Sequence, residues 1–151
     1  MRVFSLLCLL FTFSAAPALA GPDRIALHFG SFHAGANEDF QEFNPGVFVS
    51  WERETILSIG VYQNSFDDVS IAATSAVPLT MGDGYRFDFF AGLAWYPDRG
   101  REFSVSVGDV VPLAGLRLTY GNAFVQLIPS NGKRVDAIIS FGLTFPLGGN
   151  R

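Results

Sequence analysis

Cysteine is all but missing from this chain: the one residue, Cys8, lies near the N-terminus within an apolar run, and neither Leu-x-Gly nor Leu-x-Ala precedes it. That argues against a disulfide framework, thiol chemistry and a lipoprotein anchor. Histidine is scarce, with only His28 and His33. Two histidines of opposite strand parity and no nearby cysteine make a poor metal-ligand set. No apolar run after residue 20 approaches the about 20 residues a membrane-crossing helix needs. Positive charge is also thin. Without Arg2 the chain holds 9 basic and 14 acidic residues, a net charge near −5. This disfavours nucleic acid as a partner and provides no polybasic patch for anionic lipid. No glycine-rich phosphate loop leads into a helix, so no nucleotide cofactor is implied. Internal repeats and linkers are absent.

The first 20 residues form an export signal. Arg2 supplies a minimal basic start, Val3 to Phe13 is apolar, and Ser14 to Ala20 ends in Ala18-Leu19-Ala20. This is a signal peptide with a small-x-small cleavage site, leaving a mature domain over 21–151. Val3 to Phe13 is too short to serve as an anchor. Aromatic content of 15%, with 16 Phe and 16 Gly, indicates an all-β chain, because Gly weakens helices and Phe favours strands.

Turn signals cut the mature domain into segments in which one parity is bulky and apolar and the other small or polar. Leu57, Ile59 and Val61 oppose Ser58, Gly60 and Tyr62. Phe87, Phe89, Leu93 and Trp95 oppose Arg86, Asp88, Phe90, Gly92 and Ala94, and Ile139, Phe141, Leu143 and Phe145 oppose Ser140, Gly142 and Thr144. That period belongs to strands between two different solvents. Strands are expected at about 24–33, 46–53, 55–64, 69–79, 85–96, 108–120, 123–129 and 135–145. Eight is an even, closing number, so the fold expected is an eight-stranded antiparallel transmembrane β-barrel of the outer membrane, with charges such as Arg86, Asp88, Arg117 and Asp136 inside. The longer connections, 34–45 and 97–107, would lie at its outer end with 65–68 and 130–134. A soluble periplasmic sandwich or lipocalin-like barrel alternates in the same way and is the competing fold. The end of the chain departs from many outer-membrane barrels, because Phe145 is followed by six further residues rather than ending the chain.

Chemistry concentrates at the outer end. His33 ends the first strand and Ser65 follows the third, within Tyr62-Gln63-Asn64-Ser65-Phe66-Asp67-Asp68. In a small barrel these ends are neighbours, so an imidazole could act as general base on a serine hydroxyl. The competing reading is ordinary: a turn serine usually bonds its own backbone, and a strand-end histidine is usually solvated.

Phe43-Asn44-Pro45-Gly46-Val47-Phe48, Gly60-Val61-Tyr62-Gln63-Asn64-Ser65-Phe66, Val111-Pro112-Leu113-Ala114, Tyr120-Gly121 and Leu127-Ile128-Pro129 together resemble the PagP family, the lipid A palmitoyltransferases of the outer membrane. The resemblance implies an eight-stranded barrel with a hydrocarbon pocket in its outer half, phospholipid as acyl donor and lipid A as acceptor. His33 matches the family's essential histidine and Ser65 its serine; Asn64 stands where the family has aspartate, and would orient His33. His28 competes on spacing but lies about 17 Å deeper along the strand. For His33 to face inward, a bulge is needed near Ser31. Asp67 or Asp68 could replace the missing carboxylate. Pro45, Pro112 and Pro129 resemble the prolines that interrupt the family's strand ladder and admit lipid, and a proline's missing N–H weakens a wall in any case. Tyr62 would line the substrate site, and Ser75 or Ala76 would lie at the pocket floor. The family's N-terminal amphipathic helix has no counterpart.

Two functions follow as expectations. The first is PagP-like transfer of an acyl chain from phospholipid to lipid A by a monomer in the outer-membrane bilayer, with no metal or other cofactor. The second is a non-catalytic barrel with a structural or surface-binding role. A lipid A deacylase would carry His-x-Ser on a late strand, and no histidine follows His33.

Overall fold

The computed structural model describes residues 21–130 and 133–148. The leader assigned to residues 1–20 and its cleavage site lie outside the described residues. Eight antiparallel strands run in chain order: β1 (Arg24–Ala34), β2 (Phe43–Glu52), β3 (Ile56–Gln63), β4 (Val69–Gly82), β5 (Tyr85–Trp95), β6 (Val110–Tyr120), β7 (Ala123–Pro129) and β8 (Ala137–Pro146). Each pairs with the next, and β1 pairs with β8, closing the barrel. Closure excludes the sandwich, since a sandwich keeps two separate sheets.

All eight expected strands are present, with differences at their ends. β4 continues past 79 to Gly82 because a register shift between Pro78 and Thr80 absorbs the proline and lets pairing resume. β8 starts at Ala137, just past the last cross-strand bond to β1, from the Asp136 amide to the Ala34 carbonyl at 2.9 Å. At one end, hereafter the turn end, connections are tight. Gly84 and Gly121 there take positive φ, a conformation that favours glycine. The other end, the loop end, holds the longer connections, including a 3-10 turn at Gly100–Glu102.

Polarity is inside out. Buried positions include Ser31, Ser58, Ser70, Thr74, Asp88, Thr119, Gln126 and Thr144, while Val47, Ile59, Val61, Ile71, Phe89, Leu118, Leu127 and Phe141 point outward and are exposed. Each such apolar side chain forgoes about 1.5–3 kcal/mol if left in water, so the outward belt calls for an apolar solvent. Trp95 and Phe43 near the loop end, with Tyr85 and Tyr120 at the turn end, place aromatic side chains at both rims of the belt.

The interior divides into two zones. At the turn end an ionic network crosses the barrel. Glu52 accepts from Arg86 at 2.8 Å, Arg86 also reaches Asp88 at 3.1 Å, and Arg24 donates to Thr144 Oγ1 at 3.1 Å. Arg117, across the ladder from Asp88, directs two N–H groups at the Gln126 amide oxygen, at 2.8 and 3.0 Å, with that amide's nitrogen donating to Ser140. Above it runs a continuous series of rings. Arg117 lies over Phe90 and Phe124, His28 sits between Phe124 (4.8 Å) and Phe48 (4.6 Å), and Tyr62 follows Phe48 at 6.0 Å. Tyr96 lies 6.3 Å beyond Tyr62 and brings the series to the loop end.

Candidate functional site

His33 reaches the interior through a backbone irregularity. The β1 register shifts between His28 and Gly30 against both neighbouring strands, one to two residues before the position where the sequence requires a bulge. This extra residue restores the inward parity of Ser31 and His33 after Phe29. His28 and His33 therefore both face inward, at different depths. His28 belongs to the ring series in mid-barrel and takes no part in the loop-end cluster.

At the loop end His33 is 6% exposed and its Nε2 lies 2.7 Å from Ser65 Oγ. The turn that carries Ser65 explains why this hydroxyl is available. Asn64, 1% exposed, closes the turn: its Oδ1 accepts from the amides of Phe66 (2.8 Å) and Asp68 (3.2 Å), and its Nδ2 donates to Ser70 Oγ at 2.8 Å. The adjacent side chain, not the serine, thus makes the turn's own hydrogen bonds. Gln41 N–H donates to the Ser65 carbonyl at 3.1 Å and ties the turn to the first long loop.

The same bonds correct the role expected for Asn64. Its amide is engaged within the turn and does not touch His33, whose Nδ1 is buried without a hydrogen-bond partner. Asp67 bonds Gln63 and Asp68 pairs with Arg99, so neither acid replaces the missing carboxylate. What holds the imidazole instead is Phe40, stacked on it at 4.7 Å with 20° between planes. With no second partner at Nδ1 the tautomer is not locked, so the Ser65 hydroxyl can donate to Nε2.

An aromatic wall surrounds the pair. Phe66 stands 5.9 Å from Phe40 and 6.4 Å from Tyr96, and Tyr96 is 4.7 Å from Phe103. Burial pushes the Tyr96 phenol up, so it stays neutral. Arg99 covers Phe66 at 5.1 Å. Arg134 pairs with Glu38 and with Glu102, which joins three of the long connections over the site. The cavity lined by His33, Ser65, Phe66, Tyr96 and Ile138 measures about 30 Å³. On the other side of Ser65 an open cleft of about 480 Å³ faces outward between Glu38, Asp39, Gln41, Asp67 and Arg99.

The prolines sit where the wall loosens. β6–β7 pairing stops at Leu116↔Leu127, so Pro112 and Pro129, farther along their strands, stand beside a stretch where the two strands no longer pair. β2–β3 pairing stops at Gly46↔Tyr62, and β1–β2 pairing skips from His28↔Gly46 to Gly30↔Phe43, leaving Pro45 unpaired on both sides. Tyr62 faces inward, as expected. Ser75 does not: on β4 it pairs with Leu57 and Ala91 on the outward face, and its neighbour Ala76, 2% exposed, turns inward against Phe90 and Ile56. Sequence reasoning missed Phe40 and Phe103. Their signal was an aromatic residue set among polar loop residues, where solvation alone gives no reason for one. Among the described residues, no group of three His, Cys, Asp or Glu could hold a metal ion.

Closed topology, antiparallel order and inverted polarity define an eight-stranded barrel of the outer-membrane type. The chain is similar in fold to the N-terminal β-barrel domain of Pseudomonas aeruginosa OprF, with a TM-score of 0.52 and 15% identity over 85% of this chain and 100% of that one. No protein-family model matches the sequence, and no curated protein does. The resemblance to PagP therefore rests on the motifs and their order alone.

Proposed function

We propose that this chain resides in the outer membrane and transfers an acyl group from phospholipid to lipid A, with Ser65 and His33 as the reacting pair. The observation that carries the reading is the 2.7 Å contact between His33 Nε2 and Ser65 Oγ. The pair lies at the loop end, in the half of the barrel where the wall is interrupted at Pro45 and between β6 and β7. The outward apolar belt supports the location.

In the proposed reaction Ser65 Oγ attacks the donor ester carbonyl while its proton passes to His33 Nε2. The bond to the glycerol oxygen breaks, and that oxygen takes the proton from His33 as lysophospholipid leaves. A lipid A hydroxyl then attacks the acyl-serine and gives its proton to His33. The acyl bond to Ser65 Oγ breaks, and Oγ recovers the proton. In a shorter variant His33 deprotonates the acceptor hydroxyl directly while Ser65 polarises the donor carbonyl. A positioned general base contributes about 10²–10⁴-fold in such steps. No metal or nucleotide is needed.

A non-catalytic barrel with a structural or surface-binding role is the second reading. It is favoured by the empty Nδ1 position on His33 and by Asn64 being engaged elsewhere. Mass spectrometry of lipid A from cells producing the native chain, Ser65→Ala or His33→Ala separates them. Acyl transfer predicts an added acyl mass that both variants abolish. Unchanged lipid A with folded protein in the outer membrane contradicts it.

A further inference from the structure

The connection between β5 and β6 turns apolar side chains outward where a solvated loop would turn polar ones. Two of its polar side chains serve its own backbone: Asp109 accepts from the amides of Asp98 (3.0 Å) and Gly100 (3.2 Å), and Ser106 Oγ donates to the Gly100 carbonyl at 2.9 Å. Val105 and Val107 point out instead, and Val107 is 84% exposed. The first long loop is built the other way, with Phe40 turned in to His33 and Asn37, Asp39, Gln41 and Glu42 exposed.

Val107 is held in place by the wall. It exchanges both backbone hydrogen bonds with Val110, at 2.9 and 3.1 Å. Opposed residues of such a pair project from the same face, and Val110 lies on the outward face, so Val107 does too. Across β5 and onward, Val110 is in register with Trp95, Trp95 with Ile71, Ile71 with Val61 and Val61 with Val47. All six are exposed. One apolar row therefore runs from β2 to β6 and continues onto the loop.

The row ends at a gap in the wall. Tyr96 N–H donates to the Asp109 carbonyl at 2.8 Å, so residue 109 faces β5 and Val110 directs its own N–H and C=O to the β7 side. Val107 thus borders the edge of β6 on which β7 no longer pairs, loopward of Leu116↔Leu127.

We infer that the Val107 turn is a lipid contact: it lies in the bilayer hydrocarbon at the loop end as an extension of the belt, and forms a lipid-held lip at the gap between β6 and β7. The inference rests on the belt facing the outer-membrane bilayer and is independent of acyl transfer.

Residues 21–151 contain no cysteine, so a single thiol label reports one site. Val107→Cys, Val61→Cys and Arg101→Cys are each labelled with bimane. They are refolded in phosphatidylcholine vesicles with or without phosphatidylcholine that carries a nitroxide on its acyl chain near the headgroup. Folding is confirmed by gel mobility without heating. Val61 reports the belt, and Arg101, whose side chain is 82% exposed in the same connection, reports the solvated loop. Nitroxide quenching at Val107 is expected to reach at least about half that at Val61, with little at Arg101, as for a segment at the boundary of headgroups and hydrocarbon. Quenching at Val107 below that level, with Val61 quenched, overturns the inference and leaves the barrel in the bilayer. Equal quenching at Arg101 and Val107 overturns it as well, since the dye itself would then be seeking lipid. A folded barrel whose Val61 label is not quenched overturns membrane residence and the inference together.

Discussion

Asp88 is the point at which the turn-end network is most exposed to a single change. Its side chain is wholly buried, Oδ2 accepts from Arg86 at 3.1 Å, and Oδ1 has no partner. Asp88→Asn keeps the shape and removes the charge, leaving Arg86 and Arg117 short of one counter-ion. One-sided removal from a buried ion pair costs about 3–5 kcal/mol. Here Arg86 keeps Glu52 at 2.8 Å and Arg117 keeps the Gln126 oxygen, so the expected loss is about 2–3 kcal/mol. Asp88→Ala also opens a cavity, which raises the loss to about 3–5 kcal/mol. Combining Asp88→Leu with Arg86→Met is expected to cost less than the two single changes added together, since both ions leave at once. The assay is urea unfolding from phospholipid vesicles, followed by the fluorescence of Trp51 and Trp95 and by gel mobility without heating. A loss below about 0.5 kcal/mol for Asp88→Asn would refute the reasoning, because such values belong to solvated pairs.

Phe90→Ala should destabilise the barrel by about 3–5 kcal/mol in the same titration, since it removes a ring packed between Ile56, Ala76 and Arg117. Asn64→Ala leaves the partly buried amides of Phe66 and Asp68 without their acceptor and should cost about 1–2 kcal/mol. Asn64→Asp keeps the turn's acceptor and, lying away from His33, should leave acyl transfer within about twofold of the native rate; a rise of tenfold or more would show the carboxylate reaching the imidazole. Phe40→Ala removes the ring that fixes His33 and should lower the turnover rate about tenfold with little change in the Michaelis constant, whereas Phe40→Trp should recover most of the loss.

The wall of the barrel was legible because every spanning strand meets two solvents, so parity in Ile56–Gln63 or Tyr85–Trp95 carries the same information as the register itself. The β1 bulge was legible only indirectly, from the conflict between His33's parity and an inward role. Strand ends were less so: β4 passes Pro78 because a bulge accommodates it, and a bulge has no fixed sequence mark. Within the site, His33 and Ser65 could be paired from depth alone, since both end strands of a small barrel. Asn64 could not be placed, because whether its amide serves the turn or the imidazole depends on hydrogen-bond closure and not on spacing. Ser75 shows how a position taken from resemblance can slip: one residue along a strand sends a side chain to the opposite face. Phe40 reaches His33 from a loop, where periodicity carries no information.

The proposed chemistry requires His33 to activate Ser65. The direct measurement is intact-mass analysis of the folded barrel after exposure to a fluorophosphonate that carries an alkyl chain. A single adduct mapped to Ser65 is expected, absent in Ser65→Ala and formed at least about 100-fold more slowly in His33→Ala, the loss expected on removing a general base. Native protein that stays unlabelled while folded, or labels equally fast without His33, would contradict it.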